Sequence, residues 1–230
     1  MCTLTWLREP AGYRLFSNRD EKLSRPCGAP PRIHERNGIR FLAPVDTLFG
    51  GTWIAVNEFG IAMSILNGPP GTIAATSRGL LVWEMSIIES QRQVLALLQS
   101  IGLGQFAPFT LAVFEPHRKP VICGWTGKRL SIIPASFPLA SSSADYAGVR
   151  AARRKQVAGI GPISPAALHR FHASHDGGPS AYSPCMHRED AQTVSYTELM
   201  VSSDRIRMTY QPGPPCEHRQ SNSITLPRRT

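Results

Sequence analysis

The first residues of the chain offer a nucleophile. The sequence begins Met1-Cys2, and removal of Met1 would leave Cys2 with both a thiol and a free α-amine. An α-amine has a pKa of ~7.7–8, so at neutral pH it can act as a general base for the thiol beside it. Cysteine attacks a carbonyl carbon as its thiolate. The alternative is that Cys2 is only a small second residue at a frayed chain end.

Four consecutive polar residues follow, Asn18, Arg19, Asp20 and Glu21. They come at the end of a predicted strand that pairs through a tight turn with the strand of Cys2, so we expect them near the thiol. The Arg19 guanidinium can stabilise a thiolate or bind an acidic group, and the Asp20 carboxylate can accept a hydrogen bond from the α-ammonium group. We expect Asn18 and Glu21 to support them. The alternative is an exposed ion-pair cluster, which contributes little to stability.

A further candidate stands at the end of a later strand, in the stretch ILNGPPG. The side-chain amide of Asn67 can donate a hydrogen bond to the oxyanion that forms when a carbonyl is attacked. Alternatively, Asn67 only begins the turn that the following Gly and Pro residues complete.

The elements that must position these residues are mostly short strands. β-Favouring runs predict strands over 2–7, 13–17, 52–56, 61–66, 109–115, 120–125 and 129–133 and a last hairpin over 192–201 and 205–210. Helical spacing of apolar residues predicts two helices within 77–101, divided near Glu89-Ser90 with Ser90 as the second cap, and two more within 144–159 and 164–174. The segment 22–46, rich in Pro, Arg and Gly, is predicted to be a long surface loop.

This order of elements indicates an α+β fold, because hairpins segregated from helices do not build alternating βαβ units. We expect a single domain over residues 1–212. The remaining segment, 213–230, is Pro-rich and polar, and we expect a loosely ordered tail there.

The composition of the 230-residue chain excludes several classes of protein. Hydrophobic residues make up 42% and charged residues 18% of it, which allows a sizeable core and excludes global disorder. The formal charge is +9, but the basic residues fall in short scattered groups such as Arg150, Arg153, Arg154 and Lys155, without the interleaved aromatic residues of a nucleic-acid groove. We therefore expect no nucleic-acid partner, and interpret the charge as solvated surface or as favouring an acidic small-molecule substrate.

The cysteines and the apolar runs indicate a soluble cytoplasmic protein. Five cysteines, an odd number, lie far apart at positions 2, 27, 123, 185 and 216, which is typical of free thiols in a reducing compartment. No apolar run reaches the ~18 to 20 residues that span a bilayer, and we see no signal peptide. No glycine-rich phosphate loop is present, so we expect no nucleotide cofactor.

Histidines and cysteines also cluster late in the chain. The groups are His169, His172 and His175 in HRFHASH, Cys185 with His187 in CMH, and Cys216 with His218 in CEH. Thiolate and imidazole suit zinc, but none of these groups has the ligand spacing of a known zinc site. We therefore expect loop histidines, free thiols and no bound metal.

Several of these stretches together resemble a known family. The start Met1-Cys2, the motif NRDE at 18–21, GGTWIAVNEFGIA at 50–62 and LN at 66–67 are similar to the NRDE family, also called the transport-and-Golgi-organisation protein 2 family. The stretch CMHREDAQTVSYTE at 185–198 resembles its bacterial members. The similarity runs from residue 1 to about residue 212.

That family in turn resembles the N-terminal-nucleophile (Ntn) hydrolases of the choloylglycine hydrolase and penicillin V acylase branch. The resemblance implies a four-layer αββα sandwich of two stacked antiparallel sheets, with Cys2 on an inner strand. It also implies cleavage of linear C–N amide bonds, in which the Cys2 thiolate attacks the carbonyl and the free amine carries a proton to the leaving nitrogen. Asn67 matches a residue that lines the oxyanion hole of those enzymes.

The chain departs from the hydrolase pattern at two places. Those enzymes place an Asp three residues after the Arg, whereas Arg19 and Asp20 are adjacent here, so Asp20 or Glu21 supplies the carboxylate. A second oxyanion Asn is replaced by Ser141, whose hydroxyl can also donate. Arg188 is the candidate for the late active-site Arg.

We therefore expect an Ntn-type cysteine amidohydrolase or acyl-transfer enzyme that acts on a small-molecule amide without a cofactor. The alternative is a non-catalytic binding or trafficking protein for haem, or for a lipid or acyl-CoA, in the same pocket. Members of the NRDE family have been linked to haem handling and to lipid or acyl-CoA metabolism. A Cys2 thiolate can ligate haem iron.

Overall fold

The computed structural model describes residues 2–69 and 74–229, which form thirteen strands and four α-helices. The strands are β1 (Cys2–Glu9), β2 (Gly12–Lys22), β3 (Ala29–Arg36), β4 (Ile39–Val45), β5 (Ile54–Asn57), β6 (Ala62–Asn67), β7 (Phe109–Phe114), β8 (Val121–Trp125), β9 (Leu130–Ile133), β10 (Leu139–Ser141), β11 (Ala191–Val201), β12 (Arg205–Pro212) and β13 (Asn222–Pro227). The helices are α1 (Arg78–Met85), α2 (Gln91–Ser100), α3 (Tyr146–Ala158) and α4 (Pro165–Ala173), and two short 3₁₀ turns span Leu103–Gln105 and Pro215–Glu217.

The strands form two antiparallel sheets that face each other. One sheet has six strands in the order β10-β1-β2-β11-β12-β13, and the other has seven in the order β3-β4-β5-β6-β7-β8-β9. An apolar core that includes Leu4, Leu42 and Leu66 fills the space between them. Helices α1 and α2 cover the outer face of the seven-stranded sheet, and α3 and α4 cover that of the six-stranded sheet. The layer order is therefore αββα, and the predicted sandwich is confirmed.

The helices begin and end near the predicted positions. The long apolar stretch is divided as expected, because α1 ends at Met85 and α2 begins after Ser90, whose side chain accepts a hydrogen bond from the Gln93 N–H. Asp145 and Ser164 cap α3 and α4 in the same way. None of the helices in the described part of the chain is long and apolar enough to cross a membrane.

The predicted surface loop over residues 22–46 is wrong. β3 and β4 form a hairpin there, and Asn37 and Gly38 make its turn with φ angles of 51° and 74°, which is the turn that Asn-Gly favours. β4 is buried on both faces, since Phe41 packs towards the helices and Leu42 towards the other sheet. Two of the prolines that suggested a loop, Pro30 and Pro31, lie in β3, the edge strand of the sheet, where a missing N–H is tolerated.

The predicted loose tail is also wrong over its second half. β13 pairs with β12 along its whole length and closes one edge of the six-stranded sheet. Leu226 is fully buried between the two sheets, so its burial holds the strand in place. The short strand β10 was likewise not predicted, and β2 continues past its predicted end through Asn18–Glu21.

A glycine turn between β4 and β5 ties the seven-stranded sheet to α1. Gly51 has a φ of 75°, and a Cβ at this position would lie 2.4 Å from the backbone carbon of Gly79 in α1. Only glycine satisfies both constraints. The Thr52 N–H donates to the Gly79 carbonyl at 3.0 Å, so the turn is bound to the start of α1 and positions Trp53.

One buried histidine ties α4 to β1. His172 is fully buried, and its Nε2 lies 2.8 Å from the Thr5 hydroxyl oxygen. Burial lowers the pKa of His172 to about 3, and the positive charges of Arg153 and His169 act in the same direction. The folded pKa is below the unfolded value of ~6.5, so as the pH falls from ~6.5 the unfolded chain takes up a proton that the folded chain does not.

We therefore expect His172→Gln to reduce the acid sensitivity of the fold. Between about pH 7 and pH 5, the free energy of unfolding of the native protein should fall by about 2 kcal/mol more than that of the variant. Urea unfolding at both pH values measures this difference. His218→Gln, at an exposed position, should keep the native pH dependence, and equal losses in the native protein and His172→Gln would contradict the assignment.

Candidate active site

Cys2 lies between two paired strands at the wall of a cavity. Its register partners are Arg19 on β2 and Ser141 on β10. Alternate residues of β1 face opposite sides of the sheet, so Cys2 and Leu4 face the second sheet while Thr3 and Thr5 face the helices. The thiol side of β1 borders a cavity of about 480 Å³.

The wall of this cavity carries both charged and apolar groups. Besides Cys2, its lining includes Arg19, Glu21, Arg25, Asp46, Trp53, Asn67 and Arg78. Asp20 also lines the cavity, but its carboxylate pairs with Arg153, which lies outside the lining. With that pair counted as neutral, three guanidinium groups face the two carboxylates of Glu21 and Asp46, which leaves one positive charge beside the thiol.

Arg19 is held rigidly next to the thiol. Its guanidinium carbon lies 4.3 Å above the centre of the Trp53 ring, and its Nη2 lies 3.6 Å from Glu21 and 3.7 Å from Asp46. Asp46 also pairs with Arg25 at 2.6 Å. Arg19 is only 5% exposed, so these residues are not the solvent-exposed ion-pair cluster that was the alternative for the motif.

The surroundings of the Cys2 sulfur act on its pKa in both directions. Burial raises the pKa of the thiol, and the Asp20 carboxylate adds to this effect, whereas the Arg19 guanidinium and a hydrogen bond from the Asp20 backbone N–H oppose it. The net shift is upward. The resting group is therefore a thiol at neutral pH, and it needs a base to become a nucleophile.

Asp20 faces the other side of the sheet from Arg19 and is held by a buried cation. Its Oδ1 accepts a hydrogen bond from the Thr193 hydroxyl at 2.7 Å, and its Oδ2 lies 3.4 Å from both terminal nitrogens of Arg153. Arg153 also donates to the Thr3 hydroxyl and to the Ser183 carbonyl. Both charged side chains are fully buried, so each charge is compensated by the other and not by solvent.

Arg153 was not predicted to be a site residue, because it stands in a basic group that was interpreted as solvated surface. The signal for its burial is its position on α3, four residues after Val149 and four before Val157, both of which are buried. Residues at this spacing lie on one helix face, so Arg153 lies on the apolar stripe of α3 and not on its basic surface.

The two candidate oxyanion donors lie in different places. Asn67 ends β6, is exposed and lines the cavity of Cys2. Ser141 is buried, and its Oγ accepts a hydrogen bond from the Cys2 backbone nitrogen at 3.0 Å. It is not among the lining residues, which include Ser142 and Ser143 instead. Ser141 is therefore positioned to orient the Cys2 nitrogen.

The structure does not bring Arg188 to the cavity, which corrects its assignment as the late active-site Arg. Its guanidinium pairs with Asp190 at 2.6 Å just before β11, in a turn that the hydrogen bond from the Arg188 N–H to the Ala191 carbonyl closes. Asn18 faces the helix layer, where its amide donates to the carbonyls of His172 and Pro184. Glu21 lies at the cavity with Arg19.

A second missed residue is Arg78, at the start of α1. It lines the cavity, and its Nη1 donates to the Pro108 carbonyl at 2.9 Å. Burial lowers the pKa of Arg78, and the Cys2 thiolate, when it forms, and the Glu21 carboxylate oppose that effect, which reflects how near the three groups are. No sequence signal separates Arg78 from an ordinary first-turn residue.

A group of metal-ligating side chains lies elsewhere. Across residues 2–69 and 74–229, the group whose ligand atoms converge is His175, Cys185, His187 and Cys216. None of the four lines the cavity of Cys2. Two other histidines of the same stretches have different partners, since His169 lies against the Tyr196 hydroxyl and His172 against Thr5.

Comparison with known proteins identifies the family and the fold type. A family model described as "Transport and Golgi organisation 2" matches residues 1–143, which is more than half of the chain. A search of curated protein sequences with this chain found no match.

Solved structures of several Ntn hydrolases share the fold. A mutant of the conjugated bile acid hydrolase from Clostridium perfringens is 13% identical, with a TM-score of 0.59 over 100% of this chain and 97% of that one. Penicillin V acylase from Agrobacterium tumefaciens is 11% identical (TM-score 0.59, 99% and 86% covered). The Caenorhabditis elegans ortholog of N-acylethanolamine-hydrolyzing acid amidase is 11% identical (TM-score 0.62, 99% and 100% covered). The sandwich is therefore of the Ntn-hydrolase type.

The buried pair of Arg153 and Asp20 gives a prediction for stability. Arg153→Met removes the cation beside a buried carboxylate, so we expect the free energy of unfolding to fall by about 3–5 kcal/mol. Adding Asp20→Asn removes the charge that was left and should restore part of the loss. The matched change Arg154→Met, at an exposed position on the same helix, should alter stability by less than about 0.5 kcal/mol.

Urea unfolding of the four proteins measures these differences. If Arg153→Met and Arg154→Met were equally stable, the pair would not be what holds Asp20.

Proposed function

The chain belongs to the Transport and Golgi organisation 2 family, and we propose that it is a cysteine amidohydrolase or acyl-transfer enzyme that acts on a linear amide. The observation that carries this proposal is the meeting of three groups around one cavity. These are the thiol-bearing strand β1, the Asn67 amide at the end of β6, and the paired guanidinium of Arg19. Ntn hydrolases of the same fold support the reaction class.

The proposed reaction needs Cys2 at the chain terminus. After Met1 is removed, the nitrogen that donates to Ser141 becomes the α-amine, with a pKa near ~8 that suits a base. The amine takes the thiol proton, the sulfur forms a bond to the amide carbonyl carbon, and the amine passes the proton to the leaving nitrogen as the C–N bond breaks. Water, or another acceptor, then attacks the thioester, and the sulfur recovers a proton and leaves.

The neighbouring residues take separate roles in this reaction. Asn67 donates to the oxyanion of the tetrahedral intermediate, and Ser141 orients the amine, a role we prefer to the oxyanion role expected from the sequence. The positive charge of Arg19 stabilises the Cys2 thiolate. Asp20, held by Arg153, presents its backbone N–H to the sulfur.

The charges of the cavity support a substrate with an anionic group. Arg19, Arg25 and Arg78 outnumber Glu21 and Asp46, because the third carboxylate of the lining, Asp20, is paired with Arg153 outside it. Trp53, among others, adds apolar surface to the same wall. An N-acyl amino acid combines an apolar acyl chain, a linear amide and a carboxylate, and we propose this class of substrate.

A panel of matched amides tests the proposal. Each acyl chain is offered as an N-acyl amino acid and as the N-acyl amine that lacks the carboxylate. We expect a burst of released amine followed by slower turnover, no burst with Cys2→Ala, and a fall of about 10²–10³ in kcat with Asn67→Ala. Cys27→Ser, which changes an exposed cysteine, should keep the burst. A burst that persists in Cys2→Ala would exclude Cys2 as the nucleophile.

The same panel tests the anionic group. Arg78→Met should lower kcat/KM for the carboxylate substrates by about tenfold to a hundredfold, because it removes a charged hydrogen bond, and should leave the neutral amides nearly unchanged. Arg92→Met, an exposed change outside the cavity, is the control. If no amide is cleaved, yet haem binds the native protein and not Cys2→Ala, the binding alternative replaces the enzyme.

A further inference from the structure

Four side chains that ligate zinc in other proteins meet in the layer behind the six-stranded sheet. His175 follows the end of α4, Cys185 and His187 lie in the segment that leads to β11, and Cys216 lies in the 3₁₀ turn after β12. Their ligand atoms all lie within 4.8 Å of one another. We propose that these four residues bind one zinc ion in a Cys₂His₂ site that is separate from the cavity of Cys2.

The spacing of the ligand atoms fits a tetrahedral ion. The sulfurs of Cys185 and Cys216 each lie 3.5 Å from the Nε2 of His187. A tetrahedral zinc with Zn–S bonds of ~2.3 Å and Zn–N bonds of ~2.0–2.1 Å places sulfur and nitrogen about 3.6 Å apart. The rings of His175 and His187 are 5.1 Å apart and inclined by 64°, so the two imidazoles do not stack and can both turn a nitrogen to one centre.

The donor set selects zinc over the hard cations. Two thiolates and two imidazoles are soft and borderline ligands, whereas calcium and magnesium need oxygen ligands. Two thiolates also balance the charge of a divalent ion, which matters because Cys185 is fully buried. All four positions are supplied by protein, which is typical of a structural site and leaves no open position for a substrate.

The ion would fix the segment that holds Asp20. Met186, between the two ligands Cys185 and His187, exchanges hydrogen bonds with Thr193: its N–H donates to the hydroxyl at 2.8 Å, and its carbonyl accepts from the Thr193 N–H. The same Thr193 hydroxyl donates to Asp20. The Ser183 carbonyl, two residues before Cys185, accepts from Arg153 at 2.9 Å.

The site would also join distant parts of the chain. Cys216 lies between β12 and β13, 29 residues from His187, so one ion would bind the C-terminal segment to the segment after α4. Bonds that close such loops restrict the unfolded chain and couple metal binding to folding. Removal of the metal should therefore lower thermal stability and loosen the support of Asp20.

Metal analysis of the whole 230-residue chain, purified under reducing conditions without chelators, tests the proposal. We expect about one zinc per chain, retained on dialysis, and near none in Cys185→Ser, Cys216→Ser and His175→Ala. The matched controls are Cys27→Ser and His218→Ala, which change exposed residues outside the cluster, and both should keep their zinc.

Cobalt replacement reads the ligand set in the native protein, so it does not depend on whether a variant folds. The Co²⁺ protein should show the thiolate charge-transfer and intense d–d absorption of a tetrahedral S₂N₂ site. A chelator should lower Tm, and added Zn²⁺ should restore it. Neither zinc nor cobalt binding by the reduced protein, loss of zinc from Cys27→Ser as large as from Cys216→Ser, or a disulfide between Cys185 and Cys216 would each overturn the proposal. Because Cys2→Ala should bind zinc normally, this outcome is independent of the proposed enzyme activity.

Discussion

The pairing of β1 with β2 and β10 positions the candidate site. The register sets Cys2 opposite Arg19 of β2 on one side and Ser141 of β10 on the other. The thiol of β1 therefore lies between the group that tunes it and the acceptor for its backbone nitrogen. A shift of one residue would turn Cys2 to the helix layer and Thr3 to the cavity. The apolar residues that follow it, such as Leu4, prevent this shift because they must remain between the sheets.

The adjacent Arg19 and Asp20 are explained by the two faces of the same strand. Arg19 faces the cavity, where Trp53 and two carboxylates hold its guanidinium, and Asp20 faces the helices, where Arg153 and Thr193 hold its carboxylate. Consecutive strand residues point in opposite directions. The motif therefore places one charged side chain on the cavity side of the sheet and the next in the helix layer. Only the backbone of Asp20 reaches the Cys2 sulfur.

Most of the fold could be predicted from the sequence because its signals are local. The hairpin of β5 and β6 and the division of α1 from α2 follow from residue periodicity and one serine cap. The missed elements depend on distant partners: β13 exists because Leu226 finds a place between the sheets, and β10 because β1 offers an unpaired edge. The hairpin of β3 and β4 was predictable from Asn37-Gly38, but the surrounding prolines masked that signal.

The site could be predicted where its residues lie on two strands joined by one tight turn. It could not be predicted where segments far apart in the sequence come together. Cys2 and Arg19 are joined by a short hairpin, whereas Arg153 and Arg78 come from helices far along the chain. The cluster of His175, Cys185, His187 and Cys216 has no regular spacing, and the pair Cys216 and His218 is separated because His218 is exposed and has a φ of 48°. Tertiary packing determined which histidine joined each cysteine.

The most direct test of this account is the intact mass of the protein made in a cell that contains methionine aminopeptidase. We expect a mass lower than that of the 230-residue sequence by one methionine residue, so that the nitrogen beside Ser141 is a free amine. A mass that retains Met1 would leave the thiol without its base and would contradict the proposed enzyme.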